Sequence, residues 1–136
     1  MAFARIIRIK RMVPVLLVVC GCGINAAQAQ SCRQALLLAL DVSGSVNATE
    51  YRQQTDGLAV ALNAPDVREL ILANSDAPVT LAIYEWSSRN HQFVIQPWVT
   101  LNSDAALDGV IENMRVHRPI RAGLKTALGT ALTFGA

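Results

Sequence analysis

The sequence predicts an α/β domain with a mostly parallel sheet and an antiparallel hairpin strand at one edge. Three observations predict it. Residues 35–40 form a short unbroken apolar run that stops at a polar, glycine-containing turn, as suits a strand covered on both faces. Helical spacing then separates that run from a β-branched and aromatic segment at 79–86, an alternation typical of α/β chains. A second such segment at 92–100 follows after a short polar turn, which is hairpin spacing.

The elements follow in order. Leucine and alanine alone would let Ala35–Leu40 form a helix, but the stop at Asp41-Val42-Ser43-Gly44-Ser45 decides for a strand. Asn47-Ala48-Thr49-Glu50 is a capping box, and Tyr51, Leu58, Ala61 and Leu62 recur on one helical face, so a helix is expected over Ala48–Asn63. Pro65 opens a second, shorter helix through about Ala73. Residues 74–78 are a turn cluster, Val79–Trp86 a strand, Ser87–His91 a turn and Gln92–Thr100 a strand. Pro97 is best tolerated if that last strand lies at an edge. Ser103 caps a helix with Leu107, Val110, Ile111 and Met114 as its apolar stripe, Arg115–Gly123 is a basic loop, and Thr126–Phe134 is helical again. The sequence carries no internal repeats.

Composition bounds the function. With 52% hydrophobic and 16% charged residues the chain is not intrinsically disordered, and 136 residues suit one domain. Four of its 12 basic residues (Arg5, Arg8, Lys10 and Arg11) lie within the first eleven positions, which leaves eight bases against ten acids in the body. A mildly acidic body gives no support to nucleic-acid binding. The basic start, the apolar stretch from Met12 to Cys22 and Ala27-Gln28-Ala29 have the pattern of a secretory signal peptide over residues 1–29, with a secreted or periplasmic product. A retained anchor is the plainer alternative, but the apolar run is short and Pro14 interrupts it, so no membrane span is expected after cleavage. Lipidation at Cys22 is a second route. Cleavage leaves Cys32 as the one remaining cysteine: a free thiol, an intermolecular link, or half of a bridge.

Asp41, Ser43 and Ser45 form D-x-S-x-S where the first strand gives out, the end of an α/β sheet at which ligands bind. One carboxylate and two hydroxyls are hard ligands, suited to Mg²⁺, Mn²⁺ or Ca²⁺ and unsuited to zinc. Mg²⁺ keeps several waters and needs only one or two carboxylates. The plain alternative is a turn in which these side chains bond backbone amides.

Leu40-Asp41-Val42-Ser43-Gly44-Ser45 resembles the metal-ion-dependent adhesion site of von Willebrand factor A domains, and Thr126-Ala127-Leu128-Gly129-Thr130-Ala131-Leu132 resembles their second-loop pattern, T-x-x-G-x-A-L. The resemblance implies a three-layer, Rossmann-like fold. It also implies that Ser43 and Ser45 hold the cation directly, Asp41 directly or through water, and that Thr126 joins when ligand binds. Taken alone, Thr126 reads as an ordinary helix N-cap. Together with Glu85-Trp86-Ser87 and the leader, these segments are similar to an uncharacterised family of secreted bacterial proteins containing this domain.

The family pattern continues with another strand and a third loop bearing a second aspartate, so residues 30–136 are expected to be the N-terminal part of such a domain. Asp104 and Asp108 precede Thr126 on another helix and do not substitute. The resemblance places the missing strand beside the first, which would leave Leu36–Leu40 as an exposed apolar edge. In that family a cysteine lies near the missing strand, which would account for Cys32.

Arg115, His117, Arg118, Arg121 and Lys125 cluster late in the chain, either as a solvated loop or as a rim that attracts an acidic partner. Trp86 and Trp98 are expected to pack on the sheet, and His91 and His117 lack metal-ligand spacing. Neither a G-x-S-x-G elbow nor a phosphate-binding loop occurs. The expected function is therefore non-enzymatic: a secreted protein-binding module in which a divalent cation, Mg²⁺ foremost, recruits an Asp or Glu carboxylate of a protein partner. The alternatives are a metal-dependent hydrolase, which would need a general base not evident here, and a non-functional remnant.

Overall fold

The computed structural model describes residues 32–120 and 125–136. The predicted leader and Arg121 lie outside them. The element order is β1 (Gln34–Asp41), α1 (Ala48–Asn63), α2 (Pro65–Leu72), β2 (Val79–Trp86), β3 (Gln92–Leu101), α3 (Asp104–Val116) and α4 (Leu128–Gly135). This is an α/β chain with a three-stranded mixed sheet, ordered β1-β2-β3. β1 and β2 run parallel, in register from Gln34 opposite Val79 to Asp41 opposite Trp86. β2 and β3 form the antiparallel hairpin. Its register shifts between Leu81 and Ile83, where β3 carries Pro97 and Trp98 opposite Ala82. A bulge on an edge strand accommodates a residue that cannot donate to the ladder.

Alternation along β2 sorts the layers. Val79, Leu81 and Ile83 face a core shared with Ala59 and Leu62 of α1 and with Leu107, Val110, Ile111 and Met114 of α3. Leu36, Leu38 and Leu40 of β1 pack against the same core. Burying side chains such as Leu81 and Leu107 stabilises the fold by about 2 kcal/mol each. Tyr84 and Trp86 point to the opposite face, where Leu37 and Ala131 of α4 meet them. Thus α4 alone covers that second face among the described residues.

The predicted caps form. Asn47 Oδ1 accepts from the N–H groups of Thr49 (2.8 Å) and Glu50 (3.0 Å), while Glu50 Oε2 accepts from Asn47 N–H at 2.8 Å. Ser103 Oγ accepts from Ala106 N–H at 3.3 Å. α2 buries no residue fully; Ile71 and Leu72 pack against the core, and Arg68 bonds Asp108 at 2.7 Å and also Asp104, joining α2 to α3. No helix among the described residues is long and apolar enough to cross a membrane.

Candidate functional site

Three connections gather at the carboxyl ends of β1 and β2. They are the loop from Val42 to Asn47, the hairpin turn after Trp86, and the segment leading from α3 to α4. The Val42 N–H donates to the Trp86 carbonyl at 2.9 Å, one residue past the end of β1. The Ala127 N–H donates to the Ser87 carbonyl at 2.8 Å. Both halves of the sequence motif therefore hang from consecutive carbonyls of one strand end.

Within the first loop the Ser43 N–H donates to Asp41 Oδ1 at 2.7 Å, and the Val46 N–H donates to the Ser43 carbonyl at 2.9 Å. Asp41 thus does close a turn, the plain role open to it. A carboxylate offers about four acceptor positions, so one such bond leaves most of its capacity. Gln54 of α1 donates to the Asp41 carbonyl at 3.3 Å and steadies the loop from behind. Ser43 is only 2% exposed, and its hydroxyl has no hydrogen-bond partner. Ser45 is exposed.

Thr126 does not cap α4. Ala127 occupies the capping position and no side chain bonds the helix start, so the exposed Thr126 lies one residue upstream. Thr130 lies inside α4. Asp104 and Asp108, both engaged by Arg68, are committed elsewhere. Among the described residues no group of three or more His, Cys, Asp or Glu side chains could hold a metal ion. A cation here would rest on one carboxylate and hydroxyls. The orphaned Ser43 hydroxyl fits that donor set, since a buried hydroxyl without a partner costs roughly 1–3 kcal/mol.

Two features escaped the sequence reading. Glu85 is fully buried, with Tyr51 Oη at 3.3 Å and His117 Nε2 at 3.3 Å from Oε2, and with the Ile120 N–H donating to Oε1 at 2.8 Å. His91 Nε2 lies 3.8 Å from Oε1, too far for a hydrogen bond. The histidines that look isolated along the chain thus flank one carboxylate. Burial, and then the charge of Glu85, raise the Tyr51 hydroxyl far above the ordinary tyrosine range. Ser87 is the second feature, fully buried with an unpartnered hydroxyl. A glutamate within the apolar run 79–86 was the available signal, because a buried charge demands partners.

The surroundings adjust two further expectations. Trp86 is buried in the sheet as expected, but Trp98 is 56% exposed. It borders an apolar cleft of about 300 Å³, shared with Leu37, Tyr84, Val94 and Phe134 on the α4 face. In the basic cluster Arg115, Arg118 and Lys125 are exposed, whereas His117 turns inward to Glu85.

Comparison with known proteins adds one match. Neither the curated proteins nor the solved structures hold a significant match to the chain. The family described as protein of unknown function (DUF1194) matches residues 31–136, which takes in the Asp41–Ser45 motif, the buried Glu85 and the Thr126 segment. By that match the chain belongs to this family.

Proposed function

We propose that the protein is an exported, non-enzymatic binding module of the von Willebrand factor A type, and that it recognises a protein partner through a divalent cation, Mg²⁺ foremost. Asp41, Ser43, Ser45 and Thr126 hold the cation, and a partner's Asp or Glu carboxylate completes its shell. The bound cation supplies a concentrated positive charge for that carboxylate; the chain's residues hold and orient it. Hard oxygen donors favour Mg²⁺, Mn²⁺ or Ca²⁺ over softer metals.

The observation that carries this reading is the suspension of the Val42 and Ala127 amides from neighbouring carbonyls at the end of β2. Two motif halves far apart in sequence thereby share one rim. The buried Ser43 hydroxyl and the uncapping position of Thr126 leave both oxygens available as ligands. Arg115, Arg118 and Lys125, exposed on the approach to Thr126, would draw an acidic partner toward the same rim.

Calorimetric titration of Mg²⁺ into the protein and into Ser43→Ala tests the reading. Saturable binding that Ser43→Ala abolishes is the expected result. Equal heats from both proteins would remove Ser43 from the site and the proposal with it.

A further inference from the structure

Phe93, at the start of β3, stands opposite Glu85 and stacks on the His117 ring with centroids 6.3 Å apart. His117 and the Ile120 N–H both meet the Glu85 carboxylate, at 3.3 Å and 2.8 Å. Phe93, Val116 and Ile120 are thereby brought to one place around Glu85, yet all three stay between 42% and 57% exposed. Arginines surround this apolar patch. Arg115 and Arg118 flank Val116 along the chain and are exposed, and Arg89 is exposed in the hairpin turn that leads into β3. Arg52 reaches across from α1 to donate to the Arg115 carbonyl at 3.2 Å, and Arg118 donates to the carbonyls of Val116 (3.0 Å) and His117 (3.1 Å). Those bonds hold both guanidinium groups in place while using only one or two of the about five N–H donors each carries. The ion pairs among the described residues engage Arg68, His91 and His117, so Arg52, Arg89, Arg115 and Arg118 are left without a counter-charge.

We propose that this patch is a docking surface for an acidic segment of a partner protein, one that carries an apolar anchor between Asp or Glu side chains. The apolar centre receives the anchor, and the arginines around it receive the carboxylates. Aromatic and arginine side chains concentrate at protein interfaces, where lysine and the acids are depleted. A guanidinium can bond a carboxylate at two points and is weakly hydrated, which suits a pair that loses water on docking. Nucleic acid fits this surface poorly, because the body of the chain holds more acids than bases. A membrane fits poorly too, since three half-exposed side chains fall short of the broad apolar face of an interfacial helix. The surface needs no cation and does not rest on the reading of Asp41, Ser43, Ser45 and Thr126.

The test titrates synthetic peptides into the protein, read by calorimetry and by amide chemical shifts. One peptide sets a Leu-Phe pair between runs of Asp and Glu, and a control carries Ser-Ser in place of Leu-Phe. The first is expected to shift the amides of Phe93, Val116 and Ile120 and to bind more weakly as salt rises. The double variant Arg115→Glu, Arg118→Glu should lower its affinity by about tenfold or more, and Val116→Ser by about threefold. The Ser-Ser control should lose about threefold or more against wild type. Amide exchange at Leu81 and Ile83 reports whether each variant keeps its sheet, and Arg89→Glu repeats the charge test from a separate element where the double variant does not. Absence of peptide binding overturns the surface. So does binding that survives charge reversal, or shifts confined to other residues. Capture by vesicles of anionic phospholipid without any peptide binding overturns it as well, in favour of a lipid occupant. EDTA should leave the peptide affinity unchanged. Loss of binding in EDTA would move the peptide to the cation site, overturning this surface while supporting the cation reading.

Discussion

The Tyr84 hydroxyl donates to the Ala131 carbonyl at 2.7 Å, tying the middle of the sheet to the middle of α4. The Tyr84 ring also meets Phe134, with centroids 5.1 Å apart. Little else secures this helix: Ala131 is its only buried residue, and no side chain caps its start. Because Thr126 lies one residue before the Ala127 cap of α4, the anchoring of the helix reaches the proposed site. Tyr84→Phe keeps the ring and removes the bond. It should cost about 1 kcal/mol in urea denaturation and raise exchange locally in α4. A loss spread evenly over β2 and α3 would contradict that assignment.

Asp41 does two things that one substitution can separate. Its Oδ1 closes the turn onto the Ser43 amide, and its charge is the single carboxylate offered to a cation. Asp41→Asn retains an oxygen for the amide and discards the charge. Stability should stay within about 0.5 kcal/mol of wild type, while Mg²⁺ affinity falls by about tenfold or more. A variant that binds Mg²⁺ undiminished would leave Asp41 with the turn as its whole role.

Ser43→Ala probes the same loop from the side of stability. Its hydroxyl is buried and unpartnered, so removing it relieves a desolvation cost while deleting only one oxygen. Thermal unfolding in chelator should show the variant as stable as wild type, or firmer by up to about 1 kcal/mol. A clear destabilisation in the absence of metal would mean that the hydroxyl serves the fold.

The two tyrosines give a pH signature. Tyr51 is raised by burial and by the Glu85 charge, and Tyr84 by burial, so neither should ionise near the ordinary value of about 10 while the chain is folded. The unfolded chain releases those protons first. The associated stability is therefore complete below about pH 10 and is lost as pH climbs from there toward the folded-state values. Phenolate absorbance should rise together with the loss of near-ultraviolet circular dichroism. Phenolate appearing in advance of unfolding would show that at least one ring is open to solvent.

Much of the fold was legible because its signals are local. The Asn47–Glu50 box, the Ser103 cap and the stripe of Leu107, Val110, Ile111 and Met114 each depend on residues a few places apart, and each is present. Boundaries moved slightly: β1 extends through Asp41, and α4 starts at Leu128 rather than Thr126, because Ala127 is drawn out to bond Ser87. The D-x-S-x-S loop was visible as a chemical pattern. The Glu85 cluster was not, since Tyr51, His91, His117 and Ile120 meet only after α1, the hairpin and α3 have packed. No spacing rule encodes such a meeting.

The two edges of the sheet are guarded unequally. β3 carries Pro97 and shifts in register, features that discourage pairing with another chain. β1 has neither, and its residues Ala35–Leu40 are all apolar, with no charge before Asp41. Among the described residues its outer edge has no strand partner. An apolar, unpaired edge is a template for strand addition, so association between copies should grow with protein concentration. Ala39 is exposed near the middle of that strand, and Ala39→Lys would place a charge there without touching the core. Sedimentation velocity over a concentration series should show wild type associating and Ala39→Lys remaining monomeric, with unchanged far-ultraviolet circular dichroism. If the lysine variant associates as readily as wild type, the contact runs through another surface, and the apolar cleft beside Trp98 becomes the next place to substitute.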